Sequence, residues 1–184
     1  DELQPASCRP WVAIERRELV VAPRQAYRFR FEVAPPAGQA PVECRFAILL
    51  QGKEPSRSQS GGPSVTGRMA VIVYVRVGDV HPELEVTGGS VRQQDGRPVA
   101  VLHVRNTGMA HGRLDGFLTM QDAAGRSFEV TPASTPILPG ETRGVALPLS
   151  EGEGTAVPQF PVTIRGRLEW GKDRATEVDR RFDR

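Results

Sequence analysis

Apolar residues in this chain alternate with period two, and glycine or proline cuts the alternation into short runs. Tyr27, Phe29, Phe31 and Val33 share one face of such a run; Val99, Val101 and His103 oppose Ala100, Leu102 and Val104 in another. Side chains at i and i+2 lie on the same face only in an extended strand. Apolar residues seldom recur at helical spacing for two full turns. Glycine (19) and proline (16) make up nearly a fifth of the 184 residues, and they sit between the apolar runs rather than in one tract. This is the pattern of many short strands joined by turns, so the chain reads as all-β.

The runs fall into two groups. In the first, strands are expected over 11–14, 18–21, 26–33 and 43–51. The last is nearly continuous in apolar residues, so it reads as central or buried on both faces. Residues 53–67 are rich in Ser, Gly and Pro and read as a long mobile loop. A ten-residue strand, Arg68 to Val77, follows with no turn residue inside it, and Gly78-Asp79 marks a boundary. Beyond it, strands are expected over 83–86, 99–105, 113–121, 127–131, 135–138, 141–149, 160–170 and 175–182. Turn signals at ~8–12-residue spacing are those of an immunoglobulin-like sandwich. The expectation is therefore two immunoglobulin-like β-sandwich domains, 1–78 and 79–184. The first reads as incomplete, because about five strands stand where two packed sheets need about seven. Its missing strands were either cut away or are supplied by another chain.

Composition narrows the function. The net charge is +2, with both signs interspersed and basic residues in pairs such as Arg16-Arg17 and Arg180-Arg181. That is no nucleic-acid footprint. The longest apolar runs, 46–50 and 69–75, fall far short of the ~20 residues of a spanning helix, so membrane insertion is not expected. The first residues, Asp1-Glu2, carry no basic or apolar leader pattern, and the chain reads as a mature or partial product. Two cysteines, Cys8 and Cys44, lie 36 residues apart without a CxxC or a nearby His pair, which argues for one disulfide and against zinc. GxSxG, Walker A and GxGxxG motifs are absent. His81, His103 and His111 lack a third ligand, and nothing in the spacing brings Asp122 and Glu129 together. No enzyme, metal or cofactor is expected.

The run Arg68-Met-Ala-Val-Ile-Val-Tyr-Val-Arg-Val77 stands out. Met69, Val71, Val73 and Val75 line one face; Ala70, Ile72 and Tyr74 line the other. A strand apolar on both faces is either a central strand buried on both sides or a strand whose second face or edge serves a partner. In the second case main-chain hydrogen bonds supply affinity, and alternate side chains fill the partner's pockets.

This strand follows a long loop, ends in Tyr74-Val75-Arg76 and leads through a very short linker into a second sandwich. In that order of elements, and in Cys8-Arg9-Pro10-Trp11 and Glu43-Cys44-Arg45-Phe46-Ala47, the chain resembles the periplasmic chaperones of pilus (fimbrial) assembly, as a divergent member. The resemblance implies that Met69, Val71, Val73 and Val75 are lent to an incomplete pilin-like subunit, and that Arg68 is the basic anchor of this strand. The family's basic residue on the first strand has no counterpart. The resemblance also implies that Arg76 pairs with an acidic residue of the second domain, for which Asp173 is the candidate. The expected function is a periplasmic or extracellular chaperone-like protein that binds pilus subunits or other β-rich exported proteins by strand donation, with an outer-membrane usher as a further partner. The alternative is a structural or adhesive envelope module that binds glycans or proteins through loops such as 152–158.

Overall fold

A computed structural model of the chain describes residues 3–4, 6–52, 67–150 and 157–183. Nearly all of the expected loop 53–67, and most of the 152–158 segment, lie outside these residues. The chain divides into two compact units, Asp1–Asp79 and Val80–Arg184. Eleven strands and a single 3-10 turn, Arg9–Trp11, make up the regular structure of the described residues. The chain is all-β, and every strand pair is antiparallel.

The first unit holds β1 (Val12–Ile14), β2 (Phe31–Val33), β3 (Val42–Gln51) and β4 (Arg68–Val77), paired as two separate ribbons, β1-β2 and β3-β4. In β3-β4 ten residue pairs run unbroken from Val42↔Val77 to Gln51↔Arg68. At the other edge of β3, among the described residues, only one parallel bridge forms, Ser7↔Arg45. Cys8 and Cys44 are joined by a disulfide, their Cα atoms 5.5 Å apart. These two cysteines and Phe46 are the buried core, with Trp11, Val12, Val33, Ile48, Val73 and Val75 packed around them. Phe31 meets Phe46 edge to face at 5.7 Å, laying the short ribbon on the long one.

Three expectations are corrected here. Residues 18–21 form no strand, and the run expected over 26–33 is a strand only at Phe31–Val33. Alternation gives a strand a face, but a face needs a sheet to lie on; only Phe31 and Val33 reach one. The third concerns β3. Its apolar run was expected to be buried or central, yet its second half is open, with Leu49 65% exposed.

The described residues of the second unit form a seven-stranded sandwich. β5 (Leu84–Gln94), β6 (Arg97–Asn106) and β9 (Thr142–Leu147) form one sheet. β7 (Leu118–Gln121), β8 (Ser127–Val130), β10 (Val162–Trp170) and β11 (Arg174–Phe182) form the other, in the order β11-β10-β7-β8. Alternate residues of both sheets enter one core: Ala100, Leu102 and Val104 from β6 face Ile164, Leu168 and Trp170 from β10. Each of the fully buried valine, leucine and isoleucine side chains among them contributes on the order of 1.5–3 kcal/mol. The strand expected over 135–138 is reduced to one bridge, Gly112↔Ile137. The strand expected over 113–121 begins only at Leu118, because Gly116 turns the chain at φ +129° hard against the Arg167 carbonyl.

Asn106 ties this unit together. It is fully buried, and its amide donates to the Ala110 and Ile137 carbonyls, both at 2.8 Å. Its carbonyl oxygen accepts from the Glu83 and Gly108 N–H groups. All four hydrogen bonds of the side chain are thus made, the condition for burying it.

Candidate functional site

The two units differ most in what they leave uncovered. Five of the large exposed apolar side chains belong to one hairpin: Leu49 and Leu50 of β3, Met69, Val71 and Ile72 of β4. The sheet has only the order β3-β4, so among the described residues no further strand lies beyond β4. An open edge with apolar side chains is a ready template for pairing with another chain.

The register assigns the faces. Cys44↔Val75, Phe46↔Val73, Ile48↔Val71 and Leu50↔Met69 lie on one face, and Arg45↔Tyr74, Ala47↔Ile72 and Leu49↔Ala70 on the other. Near Gly78 the first face carries the disulfide core, and Val73 and Val75 are half-buried in it. Beyond Val73 the core ends, leaving Met69 57% and Ile72 58% exposed on opposite faces. Of the four residues expected to serve a partner, Met69 and Val71 are open while Val73 and Val75 also hold their own unit together. Leu49, Leu50 and Ile72 extend the patch; in the sequence the apolar runs 46–50 and 69–75 signal them, the first of which reads as central or buried on both faces.

The basic residues sit at the two ends of β4. Arg68 is exposed and donates to Gln51 Oε1 at 3.1 Å, a neutral partner. Arg76 Nε donates to Glu43 Oε2 at 2.8 Å across the β3-β4 pair, and the Glu43 side chain is almost fully buried. Asp173 lies in the turn between β10 and β11 of the second unit.

The polar clusters of the second unit carry structural work. Burial opposes ionisation of Asp122. The Gln159 N–H, the Arg126 guanidinium and the Arg126 N–H outweigh it and hold the carboxyl at about 2. Those contacts, with the Ala124 N–H, pin the β7-β8 turn to the segment entering β10. Both oxygens of that carboxylate are engaged by the fold. Glu129 sits on β8, and its carbonyl accepts from Ser150. His103 Nε2 is 2.9 Å from Ser90 Oγ on the outer face of the β5-β6 pair. Among the described residues no three His, Cys, Asp or Glu side chains cluster as metal ligands do.

Comparison with protein-family models, with curated proteins and with solved structures finds no match to this chain. β4 and its surroundings are the part of the chain that bears most on function.

Proposed function

We propose that the chain is a chaperone-like protein of the cell envelope that receives an extended segment of a β-rich exported subunit along β4. The observation that carries this reading is the ten-residue strand, which among the described residues has β3 on one side only, and open apolar side chains from Met69 to Ile72. A segment laid along that edge gains main-chain hydrogen bonds, and its alternate side chains cover Met69 and Val71 on one face and Ile72 on the other. The small first core supports the same reading, since a half-built sandwich becomes whole when a partner adds strands. The disulfide fits an oxidising compartment, and none of the described helical segments is long and apolar enough to cross a membrane.

Co-purification of the full chain with a pilin-like subunit that lacks one strand tests the proposal. Val71→Asp places a charge in the pairing surface without entering the disulfide core, and it abolishes capture while the melting of both units is unchanged. Capture that survives Val71→Asp and Ile72→Lys alike refutes it and favours an adhesive module that binds through other loops.

A further inference from the structure

The first unit carries a second uncovered feature, remote in sequence from β4. Between β1 and β2 the chain runs out and back over residues 15–30, and none of residues 13–32 is buried. The apex is a tight turn in which the Gln25 N–H donates to the Ala22 carbonyl at 3.1 Å. Pro23 occupies its first central position and Arg24, at φ +62°, its second, which is type II geometry. At the base the register is fixed by Val12↔Val33 and Ile14↔Phe31. The segment is thus an arm anchored at its base and free of the core along its length.

Its chemistry is polarised. Leu19, Val20, Val21, Ala22 and Pro23 form an unbroken apolar run leading into the apex, and Val20 is 96% exposed. Arg16 and Arg17 precede the run, while Arg24, Arg28 and Arg30 follow it. Against these five arginines stand Glu15, 3.7 Å from Arg16, and Glu18, leaving the arm at +3 in a chain whose total is +2. Tyr27 is open to solvent with the Arg16 guanidinium 5.8 Å over its ring.

From these features we infer that the arm docks on an anionic lipid surface, the apolar apex entering the headgroup boundary and the arginines pairing with lipid phosphates. An aromatic ring with a polar tip and a collar of basic residues are what that boundary favours. A polyanion in water would match the arginines equally well, but it leaves Val20 and Val21 exposed; a lipid surface matches both halves of the arm. The contact is peripheral, and it does not depend on the reading of β4.

Sedimentation of the full chain with phosphatidylcholine vesicles, with and without about 30% phosphatidylglycerol, tests it. The expected result is binding to the anionic vesicles alone, falling as salt rises from about 0.05 M to about 0.3 M. Arg17→Gln/Arg24→Gln/Arg28→Gln lowers the partition on the order of a hundredfold, from about a fivefold loss per basic residue. Val20→Ser/Val21→Ser keeps every charge and lowers it on the order of tenfold. Equal sedimentation with neutral vesicles, none with anionic vesicles at low salt, or full binding by the arginine variant overturns the inference. Unchanged binding by the serine variant overturns it too, since a site for any polyanion would then explain the data.

Discussion

Removing the Cys8–Cys44 disulfide should unfold the first unit and leave the second intact. The bridge closes a loop of 36 residues. In the chain-entropy account, a loop of that length restricts the unfolded state by about 4 kcal/mol. Small domains are stable by only about 0.05–0.15 kcal/mol per residue. A unit ending at Asp79 whose described residues include three buried core side chains, two of them these cysteines, stands at the low end of that range. Losing about 4 kcal/mol therefore removes most or all of its stability. Hydrogen exchange on the Cys8→Ala/Cys44→Ala chain separates the units. Amides of β3 should lose protection on the order of a thousandfold, while those of β6 keep theirs. Trp11 packs on the disulfide and Trp170 in the second core, so Trp11 emission should shift and Trp170 emission should not. Unchanged protection of β3 in the double-alanine chain would refute the reasoning, because it would show that the ribbons hold together without the cross-link.

Other outcomes follow from the second unit. Asn106→Ala strips four hydrogen bonds from a fully buried position and should cost about 3–4 kcal/mol at roughly 1 kcal/mol per bond, read by denaturant unfolding at Trp170 in a Trp11→Phe background. Gly116→Ala should destabilise by at least about 1–3 kcal/mol on thermal unfolding, because φ +129° is closed to alanine and its Cβ would lie 2.4 Å from the Arg167 oxygen. Asp122 titrates at about 2 when folded, below its ordinary 3.8, so its contribution is complete above pH 4 and is lost as pH falls toward 2. Melting of the wild-type chain should drop through that window, and Asp122→Asn should flatten the drop; parallel melting curves for the two proteins would contradict this.

The strand Arg68–Val77 is legible to the residue because no glycine or proline interrupts it and Gly78 ends it. Its setting is not. Apolar side chains on both faces suit a central strand and an open edge equally, and what separates the two is the number of neighbouring strands, which pairing at long range decides. The arm shows the same limit from the other side. Tyr27, Phe29 and Phe31 alternate as a strand does, but alternation cannot say whether a facing sheet exists. Within the second unit a local signal was available. Asp95 at φ 52° and Gly96 at φ 75° make the two-residue turn that joins β5 to β6, and Asp-Gly is among the strongest short-range hairpin signals. The strand expected over 83–86 instead continues to Gln94, because a bulge after Val86 lets Gly88 and Gly89 pass His103 and Phe182 closely. The Asp122 knot depends on a contact with Gln159, 37 residues away, which spacing alone does not show.

Arg68 and Arg76 lie at equal distances in sequence from Ile72. Were two copies of β4 to pair edge to edge about a two-fold axis at Ile72, each Arg68 would stand opposite the other copy's Arg76, and directly opposed like charges destabilise a strand pair. Glu43 compensates the second arginine within its own chain, whereas among the described residues the partner of Arg68 is the neutral Gln51. A parallel, in-register pairing sets Arg68 beside Arg68 and fares no better. The charge pattern therefore discourages both symmetric pairings of this strand with itself, while an apolar strand from a different chain meets no such opposition. An edge of this kind can remain open in a concentrated solution of its own kind without seeding a fibre.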